Sequence, residues 1–513
     1  VNALHGMVPR PRSGDEAETA EESGAGTGPG PGARPEPGAG TEPRSGAVTE
    51  SGSGARPGPG ARPEAQREPC RGPGEEHPAA PRTVDSPCVA RLAADLAGHG
   101  TTPTRETLLA RFWAETEAAG TPLIEPVPGD PHHWDVTFLW RGSPATRRVL
   151  LLVNRLIDRS DHTSGLMRRL PGTDVWHFTY RLRSDHRGSY RIAADDSPAA
   201  ARADEQHLRS LTGTSVADPL NPRSVATRWD GPPASVFALP DAPPQPWRAR
   251  RPGVVRGTVE RHTYASTALG AEREVWVYLP PGADAADAPA PGVLLLLDGD
   301  MWFGQMHFED VLDNLHADGA VGPLAVVAPH AVDNPTRMGE FGGRRPYADF
   351  LTAELLPWAV RRWSLTDDPA RTVVAGQSLG GTTALFTALA QSRHRVGNAI
   401  AQSTSMWWHP EVGPGIPSGF AEGDQWLTRQ FTEQPVRDVR IRLDTGLHEG
   451  VMAGMARDLE QRLRARGYDV THTEFNGGHD YACWGGALAD GLAALLGPGP
   501  RPGPAVSPPA SAP

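Results

Sequence analysis

The 513-residue sequence contains no lysine, so all 50 of its basic residues are arginine. A Walker-type lysine, a Schiff-base lysine and a kinase-type lysine are therefore excluded as catalytic groups. Cysteine is almost as scarce. Cys70, Cys88 and Cys483 are too few for a disulfide framework and include no C-x-x-C pair that would suggest zinc. No stretch approaches the roughly 18 consecutive apolar residues of a membrane span, and the start of the chain lacks the apolar core of a secretory signal. A net positive charge is also missing. The formal net charge is −11 and no dense basic block offsets it, which argues against general nucleic-acid binding. These absences leave a soluble, cytoplasmic protein as the expectation.

Glycine and proline are abundant instead, at 58 and 53 residues, and they are unevenly spread. Residues 1–84 are Gly, Pro, Ala, Glu and Arg with near-repeats such as GPGPGARPEPGAG, and residues 498–513 are similar. Such segments cannot bury enough apolar surface to offset their ordering entropy, so both tails are expected to be disordered. Residues 85–245 begin with a short helical pattern, ETLLARFWAETEAAG. The runs WDVTFLW, RRVLLLVNRL, VWHFTYRL and SYRIAA follow, rich in β-branched and aromatic residues. That texture predicts a small antiparallel sandwich, closed by a proline-rich linker at 246–253. Over 254–497 apolar strand-length runs alternate with helical stretches, which predicts a mostly parallel sheet covered on both faces. Functional sites in such sheets lie at the carboxyl ends of the strands.

One such end carries VVAGQSLGG, a G-x-S-x-G pattern centred on Ser378. In a glycine-rich chain the pattern alone says little. Its context says more, because TVVA reads as a strand and GTTALFTALAQ as a helix, the strand-turn-helix setting of a nucleophile elbow. A serine hydroxyl needs a base, and NGGHDYACW places His479 on a loop after the last strand; His448 and His472 compete less well. The acid should follow the strand before the histidine's own. VRIRLDTGLHEG offers Asp444 and Glu449, of which Glu449 is favoured, while Asp480 reads as a structural neighbour of His479. Oxyanion donors are expected at the backbone N–H of Leu379 and in the loop Gly299 to Met301. Trp302, Trp407, Trp408 and Trp484 all follow strands on the same edge and suggest a pocket for flat aromatic groups. Arg337 and Arg344 could pair with an anionic ligand. Cys483 is expected to be a buried, inert thiol.

The motifs GTDVWHFTYRL, HRGSYRI, ADPLNP, LLDGDMWF, TVVAGQSLGG, AQSTSMWW and GGHDYACWGGAL together resemble the enterochelin (enterobactin) esterases over roughly residues 130–490. These are cytoplasmic enzymes that cleave ferric tris-catecholate siderophores. The long N-terminal tail and the second half of PHAVDNPTRMGEFGGRR depart from the family pattern. The resemblance implies an immunoglobulin-like sandwich preceding an α/β-hydrolase domain, with Ser378 and His479 carrying catalysis and Glu449 at the matching position of a G-x-x-E loop. It places Arg337 and Glu340 in an R-x-x-E segment, with Arg337 the first candidate to receive the anionic substrate, and puts the four tryptophans at aromatic motif positions. It implies no cofactor, since iron arrives with the ferric catecholate siderophore, and neither nucleic acid nor membrane as a partner. Competing readings are a carboxylesterase of feruloyl type on the same fold, a catalytically silent siderophore-binding protein, and a glycan-binding role for the sandwich.

Overall fold

The computed structural model describes residues 81–98, 102–158, 160–197, 204–412 and 425–498. Nearly all of the two expected disordered tails, Cys70 included, lies outside the described residues. Among those described, no helix is long and apolar enough to cross a membrane.

The N-terminal domain is a two-sheet antiparallel sandwich, as the strand texture predicts. One sheet runs in the order Arg82–Thr83, Val175–Arg183, Asp130–Arg141, Leu123–Val127, with Arg168–Arg169 also paired to the second of these. The other runs Arg148–Val153, Arg187–Asp195, Ala234–Ala238, Ser224–Val225. Side chains alternate across a strand, so Val136 and Phe138 of one sheet meet Val149, Leu151 and Val153 of the other in the shared core. Residues of opposite parity are buried too. Leu139 and Val175 pack under the helices Pro87–Gly98 and Thr102–Ala119, and Leu150 and Ala193 pack under Glu205–Leu211. Both faces of each sheet are covered, which is why these strands read as nearly continuous apolar runs.

The second domain holds an eight-stranded sheet. Its spatial order is Thr258–Ser266, Ala271–Leu279, Leu324–Pro329, Gly292–Leu296, Thr372–Gln377, Asn398–Gln402, Arg440–Gly446, Asp469–Phe475. The first two strands are antiparallel to their neighbours and the rest are parallel. Seven of the eight fall on runs that read as strands in the sequence, REVWVYLP, GVLLLLDG, PLAVVAPH, RTVVAGQ, VGNAIAQS, VRIRLDTG and DVTHTEF. The exception, Thr258–Ser266, is an edge strand whose side chains are mostly exposed and carry no apolar signal. Strand order reverses at Gly292–Leu296, which lies between Leu324–Pro329 and Thr372–Gln377. The strand ends at this reversal carry the residues of interest.

Candidate active site

Ser378 joins the strand Thr372–Gln377 to the helix Leu379–Ala390 and adopts φ 59° and ψ −122°. An L residue takes such a backbone at a cost, sustained only where the surroundings enforce it. They do so here. The Ser378 N–H donates to the Gln402 carbonyl (2.8 Å), and its own carbonyl accepts from Ser405 (3.1 Å) and Gly381 (3.0 Å). Gly376 is needed for the same reason, because a Cβ there would stand 2.4 Å from the Gly380 carbonyl oxygen. The result raises the serine side chain at the head of a helix, with its Oγ 3.3 Å from Ser405 Oγ.

The loop bearing His479 is tied to the strand ends on both sides of this turn. Gln377 donates to the Tyr481 hydroxyl (3.1 Å), Gln402 to the Trp484 carbonyl (3.1 Å), and the Trp484 indole to Ser403 Oγ (2.8 Å). The imidazole presents Nδ1 to Glu449 Oε2 at 2.9 Å. Glu449 is fully enclosed, and its other oxygen accepts from Ser403 Oγ (2.5 Å) and the Gly446 N–H (2.8 Å). Burial pushes this carboxyl upward, but His479, Ser403 and Gly446 outweigh it and hold it below the ordinary glutamate value. The competitors are engaged elsewhere. Asp444 is bonded by Arg442 (2.9 Å) and Gln402 (3.3 Å), and burial raises it to about 6. His448 contacts Asn476, while His472 lies between Glu460 and Thr445. Asp480 caps the final helix through the Ala482 N–H.

On the other side of the serine turn lies Asp298, fully buried at φ 64° just before Gly299. Arg337 grips it through two bonds of 2.6 and 3.0 Å, Gln377 donates at 2.9 Å, and Arg228 of the N-terminal domain adds a third partner at 2.9 Å. Burial would raise this carboxyl, yet Arg228 and Arg337 hold it at about 2. Arg337 is thus bonded to a carboxylate within the protein, where the expectation was that it would meet an anionic ligand. Its neighbour in the R-x-x-E segment, Glu340, is likewise turned away, bonded by Arg273 (2.5 Å). The Gly299 turn abuts the serine turn, since a Cβ on Gly380 would lie 3.4 Å from Asp298 Oδ2. Gly299 also has no room for a side chain, with the Ala328 carbonyl oxygen 2.3 Å from where its Cβ would be. Both Gly299 and Leu379 begin helices, whose first N–H groups have no partner within the helix.

The tryptophans do not form the open aromatic wall their spacing suggests. Trp302 is completely buried against Phe308 and Tyr481, with its indole N–H on Gln377 (3.3 Å). Trp408 is buried against Trp426, with Arg344 over its ring at 5.3 Å, and Trp407 is buried in the same core. Trp484 stands edge-on to His479, with ring centres 4.8 Å apart, and supports Ser403 rather than an opening. Cys483 is a buried thiol, raised well above its ordinary value by that burial. Four contributors were missed from sequence: Asp298, Ser403, Arg228 and Asn154, whose side chain donates to the His479 carbonyl (3.0 Å). Ser403 and Asp298 stand inside quoted motifs, but nothing local distinguishes them from ordinary strand-end residues.

A parallel sheet with an antiparallel edge, a serine on a strained strand-helix turn and a histidine–carboxylate pair at the same edge define an α/β-hydrolase carrying an N-terminal β domain. Comparison with known proteins narrows the class. The family model described as "Enterochelin esterase, N-terminal" matches residues 135–248, and the Esterase model matches 266–495. The chain is similar to the iron(III) salmochelin esterase of Escherichia coli O6:H1, at 33% identity over 76% of this chain and 94% of that protein. It is also similar to the iron(III) enterobactin esterase of Dickeya dadantii, at 31% identity over 75% of this chain and 92% of that protein. The crystal structure of the enterobactin esterase from Shigella flexneri, determined in the presence of enterobactin, superposes with a TM-score of 0.63. It shares 28% identity over 75% of this chain and 97% of that one. The chain belongs to the enterochelin esterase family and is a carboxylic ester hydrolase.

Proposed function

We propose that this protein hydrolyses the ester bonds of a ferric tris-catecholate trilactone of the enterobactin or salmochelin type, with Ser378, His479 and Glu449 as the catalytic triad. Ser378 Oγ attacks an ester carbonyl and His479 Nε2 takes its proton. Glu449 holds the imidazole in the required tautomer and stabilises its cation. The N–H groups of Leu379 and Gly299 receive the tetrahedral oxyanion, favoured by the helix that begins at Leu379. His479 then protonates the departing serine alkoxide, and water, activated by the same imidazole, hydrolyses the acyl-enzyme. Ester transfer by these residues calls for no resident cofactor, and iron enters and leaves as part of the substrate. We place the reaction in the cytoplasm, in keeping with the family.

The observation that carries this reading is the His479–Glu449 pair, 2.9 Å long and tied to the strand ends flanking Ser378. Its test is product analysis by liquid chromatography and mass spectrometry on ferric enterobactin, iron-free enterobactin and a nitrophenyl ester. The expected products from the siderophore are dihydroxybenzoylserine trimer, dimer and monomer. Ser378→Ala should lower kcat at least about 10⁴-fold. Turnover of the nitrophenyl ester alone would keep the serine mechanism and discard the siderophore.

A further inference from the structure

With Arg337 committed to Asp298, the anionic substrate needs another cationic partner. A cavity of about 420 Å³ lies on the outer face of the second sheet of the N-terminal domain, within the ~300–1,000 Å³ range of small-molecule sites. Leu152 and Arg191, cross-strand partners, line it together with Asn154, Arg155, His162 and Thr227. Two of these residues border the catalytic centre. Asn154 holds the His479 carbonyl at 3.0 Å, and Thr227 precedes Arg228, which is bonded to Asp298 beside Gly299. The His479 loop is pressed onto this side, since a Cβ on Gly478 would stand 2.6 Å from Asn154 Oδ1 and 2.8 Å from Arg155 Cβ. The cavity is therefore bounded by the segment that steadies the histidine and by the one that steadies the oxyanion turn.

Its charge is unbalanced. The Arg191 guanidinium is partly buried and makes no hydrogen bond or ion pair among the described residues. Burial alone pulls its pKa below the ordinary arginine value, with no carboxylate opposing the shift. Arg181 and Arg148 of the same domain have acids, Asp135 and Asp195, while Arg187 has at least the Pro243 carbonyl. The acid on the cavity lining, Asp158, is occupied by the N–H and hydroxyl of Ser160, and His162 is turned onto Glu205. A guanidinium taken partly out of water without a partner is unfavourable until an anion joins it.

We infer that this cavity is the subsite for one catecholate arm of the substrate and that the Arg191 guanidinium faces the negative charge of that arm. This rests on the siderophore reading above and extends it. The hydrolase domain cuts the ester, and the N-terminal domain decides which ester is presented. A catecholate bound to iron carries more negative charge than a free catechol, so Arg191 should discriminate in favour of the ferric form.

The test is steady-state kinetics of the full chain and its R191Q variant on ferric enterobactin, iron-free enterobactin and a nitrophenyl ester. The ratio of kcat/KM for ferric siderophore to that for nitrophenyl ester should fall about tenfold or more in R191Q, through KM rather than kcat. The fall should be smaller for iron-free enterobactin, and R191K should recover only part of it. In the Ser378→Ala background, the Kd for ferric enterobactin should weaken by the same factor. An unchanged ratio and Kd would overturn the inference, as would an equal loss toward all three esters. A parent chain that cleaves the nitrophenyl ester but no siderophore would instead overturn the substrate reading and this inference with it.

Discussion

Asp298 and Glu449 are both fully buried carboxylates beside the serine turn, one on each side of Ser378, and the protein treats them in opposite ways. Asp298 is met by two guanidiniums and an amide, one of the guanidiniums coming from the other domain. Glu449 is met by a hydroxyl, a backbone N–H and an imidazole, and no arginine bonds it among the described residues. Permanent cations saturate the first carboxylate and fix its charge, which makes it a staple between the domains and the Gly299 turn. Neutral donors satisfy one oxygen of the second and leave the other directed at a group whose charge changes during the reaction. A buried acid is suited to catalysis when its partners do not already cancel its charge.

The sharpest way to break this contrast is to neutralise each acid without changing its size. Glu449→Gln should lower kcat by about 10³–10⁴-fold, because the amide no longer selects the productive tautomer or stabilises the imidazolium. Its melting temperature should stay near that of the parent, since a glutamine still accepts from Ser403 and Gly446. Asp298→Asn should do the reverse. Two buried guanidiniums lose their counterion, at a cost of about 3–5 kcal/mol in stability, read from urea midpoints. The folded fraction should keep more activity than Glu449→Gln does. A Glu449→Gln protein that melts early with near-normal kcat would erase the distinction.

The two sides of the serine turn also differed in how well they could be read from sequence. The proposed triad of Ser378, His479 and Glu449 could be picked out because each residue has a local signal: a glycine-flanked serine between strand and helix, a histidine after the last strand, an acid after the strand before it. The Asp298 cluster was not, because its partners lie 39, 70 and 79 residues away and only folding joins them. The R-x-x-E spacing suggested an Arg337–Glu340 unit, yet the fold sends each residue to a different partner. The tryptophans failed for a related reason. Spacing after strands places a ring at the sheet edge but does not say whether the next element covers it, and Trp302 and Trp408 are covered. The strand Thr258–Ser266 escaped because an exposed edge lacks the apolar pattern by which strands are recognised.

Acid titration sharpens the comparison further, with Asp444 as a third case. Asp298 is held at about 2, below the ordinary aspartate value of 3.8, so its folded form releases its proton more readily than the unfolded chain. Its contribution is present above about pH 4 and lost as pH falls towards 2. Asp444 is raised by burial from 3.8 to about 6, so between those values the folded state binds the extra proton, and stability falls as pH rises through that window. Each effect is on the order of 2 kcal/mol. Urea midpoints of Asp298→Asn should lose the parent's decline below about pH 4, and those of Asp444→Asn should lose the fall between about pH 4 and 6. The same pH dependence in both variants would show that partners, and not burial alone, had been misjudged.

The smallest expected effect concerns the partners of Glu449. An indole N–H can only donate, so when Trp484 donates to Ser403 Oγ at 2.8 Å, it occupies a lone pair of that hydroxyl. The hydroxyl hydrogen is then directed to Glu449 Oε1, 2.5 Å away. Trp484 therefore acts on the carboxylate through Ser403, and the three groups polarise one another. Ser403→Ala should reduce kcat about five- to tenfold, in line with one hydrogen bond to a charged group. Trp484→Phe, which keeps an aromatic edge beside His479 but loses the donor, should reduce it by a smaller factor. In the double variant the tryptophan change should have almost no further effect, because the hydroxyl it orients is gone. Additive losses in this cycle would mean that the ring supports His479 by contact alone, and that the orientation of Ser403 does not depend on it.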